Sequence, residues 1–358
     1  MVNKTDYGEV LRDRDAGIYL SNTVLIVIGT VIGIFGNLTV IYFYLVRIKE
    51  RGERYFIPLL AIVDLCACLA SSLFIVMHNT FFYNYPSDIV CRILTFLQVF
   101  VTGLSGHMLL VICFQRYLLV CKPYGPKMTV FWKKMSFALA CVFSFAYSIP
   151  LLGMSGTKTT DKIFLNHTVA TTLCKFYAED SSTNSLVYFG LLGLVMVANI
   201  TITAALYIPV ISKIQVVLSG KIAKGNRNRK ISSKTDAGAN DTSFNNTTKT
   251  EETMAANHEI QRESISKTRN DFAKRRITIM FFVIILAYIL SYLPSVVLLI
   301  IAYAITDFDY ITFTEGETIA WTYLSRIVFL NHIVNPFIYS YFDVKFRAEL
   351  KTCFMCKR

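Results

Sequence analysis

The sequence predicts an all-α membrane protein, a seven-transmembrane helix bundle with a short amphipathic helix after the last span. Three observations carry this. First, charged residues make up 17% of the 358 residues, against about a quarter in an ordinary soluble chain. Second, the deficit falls in seven apolar stretches long enough to cross a bilayer. Third, Lys and Arg gather in alternate connections, 28 against 6. By the positive-inside rule this places the N-terminal tail outside, the C-terminus in the cytoplasm and an odd number of spans between them.

The seven stretches run over 18–46, 56–79, 89–120, 137–154, 186–218, 277–305 and 319–342, the fourth being the shortest. Before them, residues 1–17 carry seven charged groups and no apolar core. They are expected to form an extracellular tail, with the first span rather than a cleavable signal peptide directing insertion. Residues 18–342 form the bundle. The inner connection from about 219 to 271 is polar and nearly free of aromatics, and is expected to be disordered. In 343–358 the pattern Val344-Lys345-Phe346-Arg347 fits an interfacial cytoplasmic helix and tail.

Charge distribution bears on partners too. A net charge of +12 could suggest nucleic acid, but its confinement to alternate loops points to a lipid bilayer and no nucleic-acid partner. Asn3 and Asn166 sit in N-x-Thr acceptor patterns on the expected outside and are candidate glycosylation sites. Of nine cysteines, only Cys91 and Cys174 lie at outer loops, making them the one plausible disulfide. Ile163-Phe164 and Val169–Cys174 are β-prone runs in the long outer connection, consistent with a hairpin strapped to Cys91. Cys353 and Cys356 stand where palmitoylation would occur at the inner surface, unless they are plain thiols.

Hydrophilic groups inside apolar spans are the functional signal. Asp64 lies midway along the second span, where an isolated carboxylate must be paired, protonated or ion-bound. Pro294 and Pro336 each remove a backbone hydrogen bond and permit a kink. No internal repeat appears, which disfavours a transporter, and no metal-spaced cluster or nucleophile constellation suggests an enzyme.

Together, Gly36-Asn37, Leu60-Ala61-Ile62-Val63-Asp64, Cys91, Gln115-Arg116-Tyr117, Pro294 and Asn335-Pro336-x-x-Tyr339 resemble the rhodopsin-like (class A) G-protein-coupled receptors over essentially the whole chain apart from the inner loop and tails. The spacing agrees, since the 25 residues from Cys91 to Arg116 make about 37 Å of helix. The resemblance implies a plasma-membrane receptor that binds an extracellular ligand and activates a heterotrimeric G protein by outward movement of the sixth helix, with arrestin and receptor kinases as further partners. It implies no cofactor beyond an allosteric sodium ion held by Asp64, Ser105, Asn331 and Asn335. A protonated, hydrogen-bonded Asp64 is the alternative.

The same resemblance assigns Gln115, Arg116, Tyr117, Tyr207, Lys274, Pro294, Pro336 and Tyr339 to the inner switch. It assigns Gln98, Val99, Thr102, Tyr292, Ser295, Leu299, Trp321 and Arg326 to the ligand pocket. There are departures. Gln115 replaces the acid before Arg116 and Lys274 replaces another acid, so Arg116 is expected to lack two charged partners and basal signalling to be raised; a decoy receptor is the competing reading. Tyr292 stands for the usual tryptophan, and Asn199 for a mid-helix proline.

Gln98 replaces the aspartate of amine receptors, and the seventh span holds no lysine for a retinal Schiff base. A neuropeptide, drawn by the acidic outer surface, is the leading ligand class. Arg326, about 15 Å outside Pro336, supports the alternative of a small anionic metabolite or lipid, or else snorkels or pairs with an outer-loop acid. A transporter or channel is the rival from another class. His107 is read as a hydrogen-bonded core residue. Ser232, in a basic context, makes the inner loop the expected kinase and arrestin platform.

Overall fold

Many large apolar side chains face outward along the helices while several polar ones are buried, a pattern a soluble protein does not show. Leu20, Val24, Leu25, Ile28, Val31 and Phe35 of the first helix are exposed, whereas Asn22 and Asn37 of that helix are buried. Exposed apolar area costs about 25 cal/mol per Å² in water; against lipid chains it costs nothing, so this chain is built for a bilayer. The computed structural model describes residues 7–48, 52–175, 183–235, 275–301 and 313–355.

The helices are α1 (Tyr7–Tyr42), α2 (Phe56–Thr80), α3 (Asp88–Cys121), α4 (Val130–Ser148), the short α5 (Leu151–Met154) and α6 (Thr183–Thr235). They continue with α7 (Arg275–Ile301), α8 (Glu315–Arg326), α9 (Asn331–Phe342) and α10 (Val344–Met355). Among the described residues, six helical segments are long and apolar enough to span. The seventh is α8 and α9 end to end, joined by a 3₁₀ turn at Ile327–Leu330. Helix α3 is central, packed on α2, α4 and α6, while α1 packs on α2, α8 and α9. Phe56, Leu60, Met108, Ile112, Tyr207, Phe281, Ile284 and Tyr339 lie in one continuous core.

Four boundaries differ from expectation. Helix α1 starts at Tyr7, not at 18, because one side of its first turns packs against the hairpin end while Glu9, Arg12 and Asp13 on the other side stay exposed. Leu11 packs with Tyr83, Val169 and Leu173, and buried Asp15 accepts from Arg14 and from Tyr83 Oη at 2.7 Å. Helix α6 continues to Thr235, past residue 219 where composition suggests irregular chain. Propagating an already nucleated helix adds one hydrogen bond per residue fixed, so a polar stretch can extend it at modest cost. Helix α4 starts at Val130, capped by Thr129, and gives way near Pro150, where α5 begins. The seventh span is broken where the pattern suggested one helix.

One end of the bundle carries a hairpin, β1 (Gly156–Phe164) against β2 (His167–Lys175), antiparallel with Phe164 opposite His167. Leu165 and Asn166 have φ of 49° and 61°, the positive values that a two-residue type I′ turn requires at both positions. The Cys91–Cys174 disulfide fastens β2 to the first turn of α3, with Cα atoms 5.6 Å apart. Asp88 bridges Arg92 at 2.6 Å and the Thr157 amide at 2.7 Å, which seats β1 on the same helix end.

Candidate functional site

Pro336 determines the middle of the site. Lacking an N–H, it leaves the carbonyl of His332, one turn earlier, without its helical donor, and at bilayer depth that vacancy is costly. Asn37 of α1 fills it, donating from Nδ2 at 2.9 Å, and Cys68 Sγ lies at 3.5 Å. The repair needs close helices. A Cβ on Gly36 would sit 3.0 Å from two ring carbons of Pro336, and one on Gly33 would sit 2.6 Å from Cys68 Sγ. The Gly36-Asn37 pair and the Asn335-Pro336 pair are thus two halves of one joint.

Around the joint lies a buried polar seam. Asp64 accepts from Ser105 Oγ at 2.9 Å, from His332 Nδ1 at 3.0 Å and from Asn335 Nδ2 at 2.7 Å. Asn331 Nδ2 reaches Ser105 Oγ at 3.4 Å. Asp64, Ser105, His332 and Asn335 have no exposed surface. The four residues expected to converge do so, joining α2, α3 and α9. His332 was not expected among them.

Toward the hairpin end, Gln98 presents a buried Oε1 with no partner among the described residues. One turn on, Thr102 offers its carbonyl to Tyr292 Oη at 2.9 Å, fixing the α7 aromatic to α3. Tyr292 rests on Tyr288, centroids 4.5 Å apart, and Tyr288 Oη donates to Asn199 Oδ1 at 2.8 Å. Asn199 therefore links α6 to α7, in place of a proline kink. Ser295 Oγ donates to the Ser325 carbonyl at 3.1 Å, tying α7 to α8. Val99 is turned toward Leu151, Phe189 and Leu192. Leu299 is half-buried, and Trp321 packs edge-on to Phe313.

Arg326 behaves differently from expectation. Among the described residues it meets no outer-loop acid; its Nη1 donates to Asn22 Oδ1 at 2.9 Å, and its guanidinium lies over the Tyr19 ring at 5.7 Å. Asn79 Nδ2 shares the same Asn22 oxygen at 3.0 Å. The residue thus belongs to the α1–α2–α8 side of the bundle. His107 Nδ1 donates to the Gly103 carbonyl at 2.6 Å and the ring packs on Phe143, a core residue as read from the sequence.

At the α10 end Arg116 has a charged partner beyond the two acids that Gln115 and Lys274 replace. Glu53, in the 3₁₀ turn Gly52–Arg54, brings Oε2 to 3.3 Å from Arg116 Nη1, and the Glu53 carbonyl accepts from Nη2. The guanidinium also lies 4.3 Å from the centroid of Phe281 on α7. Arg116 is 1% exposed, so α7 and Glu53 cover it and this end of the bundle is closed. Tyr207 Oη donates to the Thr278 carbonyl, joining α6 to α7. Gln115 is buried with Oε1 unpartnered among the described residues. Tyr117 is half-buried beneath Lys122. Tyr339 is buried 6.3 Å from the Tyr44 ring, its hydroxyl without a partner among the described residues.

Asp343 joins α9 to α10. Arg54 grips it at 2.6 and 3.1 Å, Tyr44 Oη donates at 2.6 Å and the Lys345 amide at 2.9 Å. Burial opposes its charge, but Arg54 and these donors outweigh burial and hold the carboxyl below the usual carboxylate range. The interfacial helix runs Val344–Met355, anchored by buried Phe346 against Phe43 and Tyr44. Asn3, Lys274 and Cys356 lie outside the described residues; Asn166 is exposed at the hairpin turn and Cys353 exposed on α10.

Comparison with known proteins decides what this arrangement is. The family model of the 7 transmembrane receptor (rhodopsin family) matches residues 36–339. The chain belongs to the rhodopsin family. Its relatives include the mouse (Mus musculus) neuropeptide Y receptor type 4, 28% identical over 142 residues, 39% of this chain and 37% of that protein. The mesotocin receptor of Rhinella marina is 34% identical over 89 residues, 25% and 23% of the two chains. The human (Homo sapiens) probable G-protein coupled receptor 19 is 25% identical over 158 residues, 44% and 37%. The matched stretches thus cover well under two thirds of these relatives. The rhodopsin family is one of multi-pass, non-enzymatic membrane receptors.

Four site residues escaped the sequence reading: His332, Glu53, Tyr288 and Asp343. His332 was signalled only by standing between Asn331 and Asn335, and Glu53 by being an acid just before the second span. Nothing in the pattern marked Tyr288 or Asp343.

Proposed function

We propose that this rhodopsin-family protein is a plasma-membrane receptor, hairpin end outside, that binds an extracellular neuropeptide and activates a heterotrimeric G protein. The observation that carries this is the pocket floor. Gln98 Oε1 is buried without a partner among the described residues, one turn from the Thr102 carbonyl that Tyr292 of α7 engages. A ligand donor satisfying Gln98 would act beside the one hydrogen bond that fastens α7 to α3 there. Binding energy spent on loosening it would favour a bundle with α7 swung away from Arg116. Pro294, two residues from Tyr292, supplies the hinge.

Support for a peptide comes from relatives whose names record neuropeptide Y and mesotocin, and from the sheltering hairpin. The acids Glu9, Asp13, Asp161 and Glu315 at that end are exposed and favour basic ligands. Asn166 would carry a glycan at the turn, and Cys353 a palmitoyl chain holding α10 to the bilayer. Arrestin and receptor kinases would act on the connection between α6 and α7.

A small anionic ligand is the second reading, favoured by Arg326, whose cation is matched by an amide and a ring. Cells carrying the receptor should respond to a member of a peptide library in calcium or cyclic-nucleotide assays. Gln98→Ala should abolish that response and Arg326→Ala weaken it. A response to anionic metabolites alone, lost in Arg326→Ala and kept in Gln98→Ala, would favour the second reading.

A further inference from the structure

The polar seam has one member that the sodium expectation did not include. A hard cation such as sodium takes oxygen ligands, and a carboxylate binds it through lone pairs left free of hydrogen. Asp64 offers about four such lone pairs. Ser105 Oγ and His332 Nδ1 both address Oδ1, at 2.9 and 3.0 Å, and Asn335 Nδ2 addresses Oδ2 at 2.7 Å. Ser105 and Asn335 donate, and the proton between His332 Nδ1 and Oδ1 lies on one or the other according to the tautomer, so three of the four lone-pair positions face a hydrogen-bond partner. Two of the four expected ligands, Asn331 and Asn335, present their NH₂ groups rather than their oxygens to the seam.

The imidazole also takes up room. His332 and Asp64 are both fully buried, so the ring's volume lies against the carboxylate, in the space a cation and its waters would need. Its backbone is fixed independently, because the His332 carbonyl is bonded to Asn37 and Pro336 follows one turn later. The ring is thus pinned on Asp64 from the same residue that closes the proline joint. The donor set does not fit sodium.

We propose that His332 stands in the place of the allosteric cation, as a built-in partner that links Asp64 of α2 to α9, and that no sodium ion binds at Asp64. The coupling between these helices is then covalently part of the chain and independent of the ionic medium. The inference concerns the seam alone and stands whether or not the receptor answers a peptide.

The test is thermal unfolding of the full-length receptor, purified in detergent, in sodium chloride against potassium chloride at equal concentration. A filled sodium site would raise the melting temperature in sodium by roughly 2–4 °C. The native protein should show no difference between the salts. In His332→Ser, which removes the ring and offers an oxygen, a sodium-specific rise should appear. A sodium-specific rise in the native protein overturns the proposal, as does its absence in a folded His332→Ser. If that variant does not fold, broadening of the sodium magnetic-resonance line by the native receptor, reversed by Asp64→Asn, would equally overturn it, and an unbroadened line would uphold it.

Discussion

Glu53 Oε2 lies 3.3 Å from Arg116 Nη1, a contact between residues 63 positions apart that closes the α10 end of the bundle. The chain has no carboxylate for Arg116 at Gln115 or at Lys274, and another acid, from the turn before α2, has taken the part. A hydrogen bond to a charged group is worth about 1.5–3 kcal/mol, enough to bias a two-state bundle by about tenfold or more. Under the proposed receptor function, this contact is expected to restrain basal signalling. Glu53→Gln should raise ligand-free activity in a cell assay several-fold, and Glu53→Asp less so. Unchanged basal activity in Glu53→Gln would remove this restraint from the mechanism.

Removing the donor at the proline joint should be costly. Asn37→Leu keeps the volume but strands the His332 carbonyl in an apolar interior, at about 1–3 kcal/mol. The purified receptor should melt several degrees lower. A melting temperature equal to the native one would show that another donor reaches that carbonyl.

The close approach of α1 to α2 can be tested by adding one carbon. Gly33→Ala places Cβ 2.6 Å from Cys68 Sγ, and overpacking of this kind costs about 1–3 kcal/mol. Cys68→Ala removes the obstructing sulfur, so the double variant should regain much of the loss. Additive losses in the double-mutant cycle would contradict the contact.

Asp343 gives the α10 junction a pH dependence. Its carboxyl titrates below the ordinary range in the folded protein, so its contribution is complete above the unfolded-state value near 4. It is lost as pH falls through the lower folded-state value. The native receptor should lose stability on acidification in that range. Asp343→Asn should be less stable at neutral pH, by about 3 kcal/mol for a broken buried pair, and flatter with acid. Parallel acid curves for the two proteins would assign the dependence elsewhere.

Much of this was legible in the sequence because a bilayer enforces simple rules. Span positions follow from costs of several kcal/mol per misplaced group, the Cys91–Cys174 bridge from the oxidising outer compartment, and the convergence on Asp64 from the family resemblance. What escaped was decided by tertiary geometry. Glu53 and Arg116 meet only because the turn before α2 folds under α3. The helical first turns of α1 depend on shelter from a hairpin more than 140 residues away. His332 looked like filler between two expected residues, since one sequence cannot show which side chain a helix turns to a carboxylate. The bond from Arg326 to Asn22 and the break between α8 and α9 leave no mark in hydropathy.

The most direct measurement is nucleotide exchange on purified heterotrimeric G proteins by the receptor reconstituted in lipid. The native receptor should accelerate exchange on at least one subtype, Glu53→Gln should accelerate it further without added ligand, and Arg116→Ala should abolish the effect. Exchange at the spontaneous rate with every subtype, for the native protein and for Glu53→Gln alike, would contradict the receptor assignment.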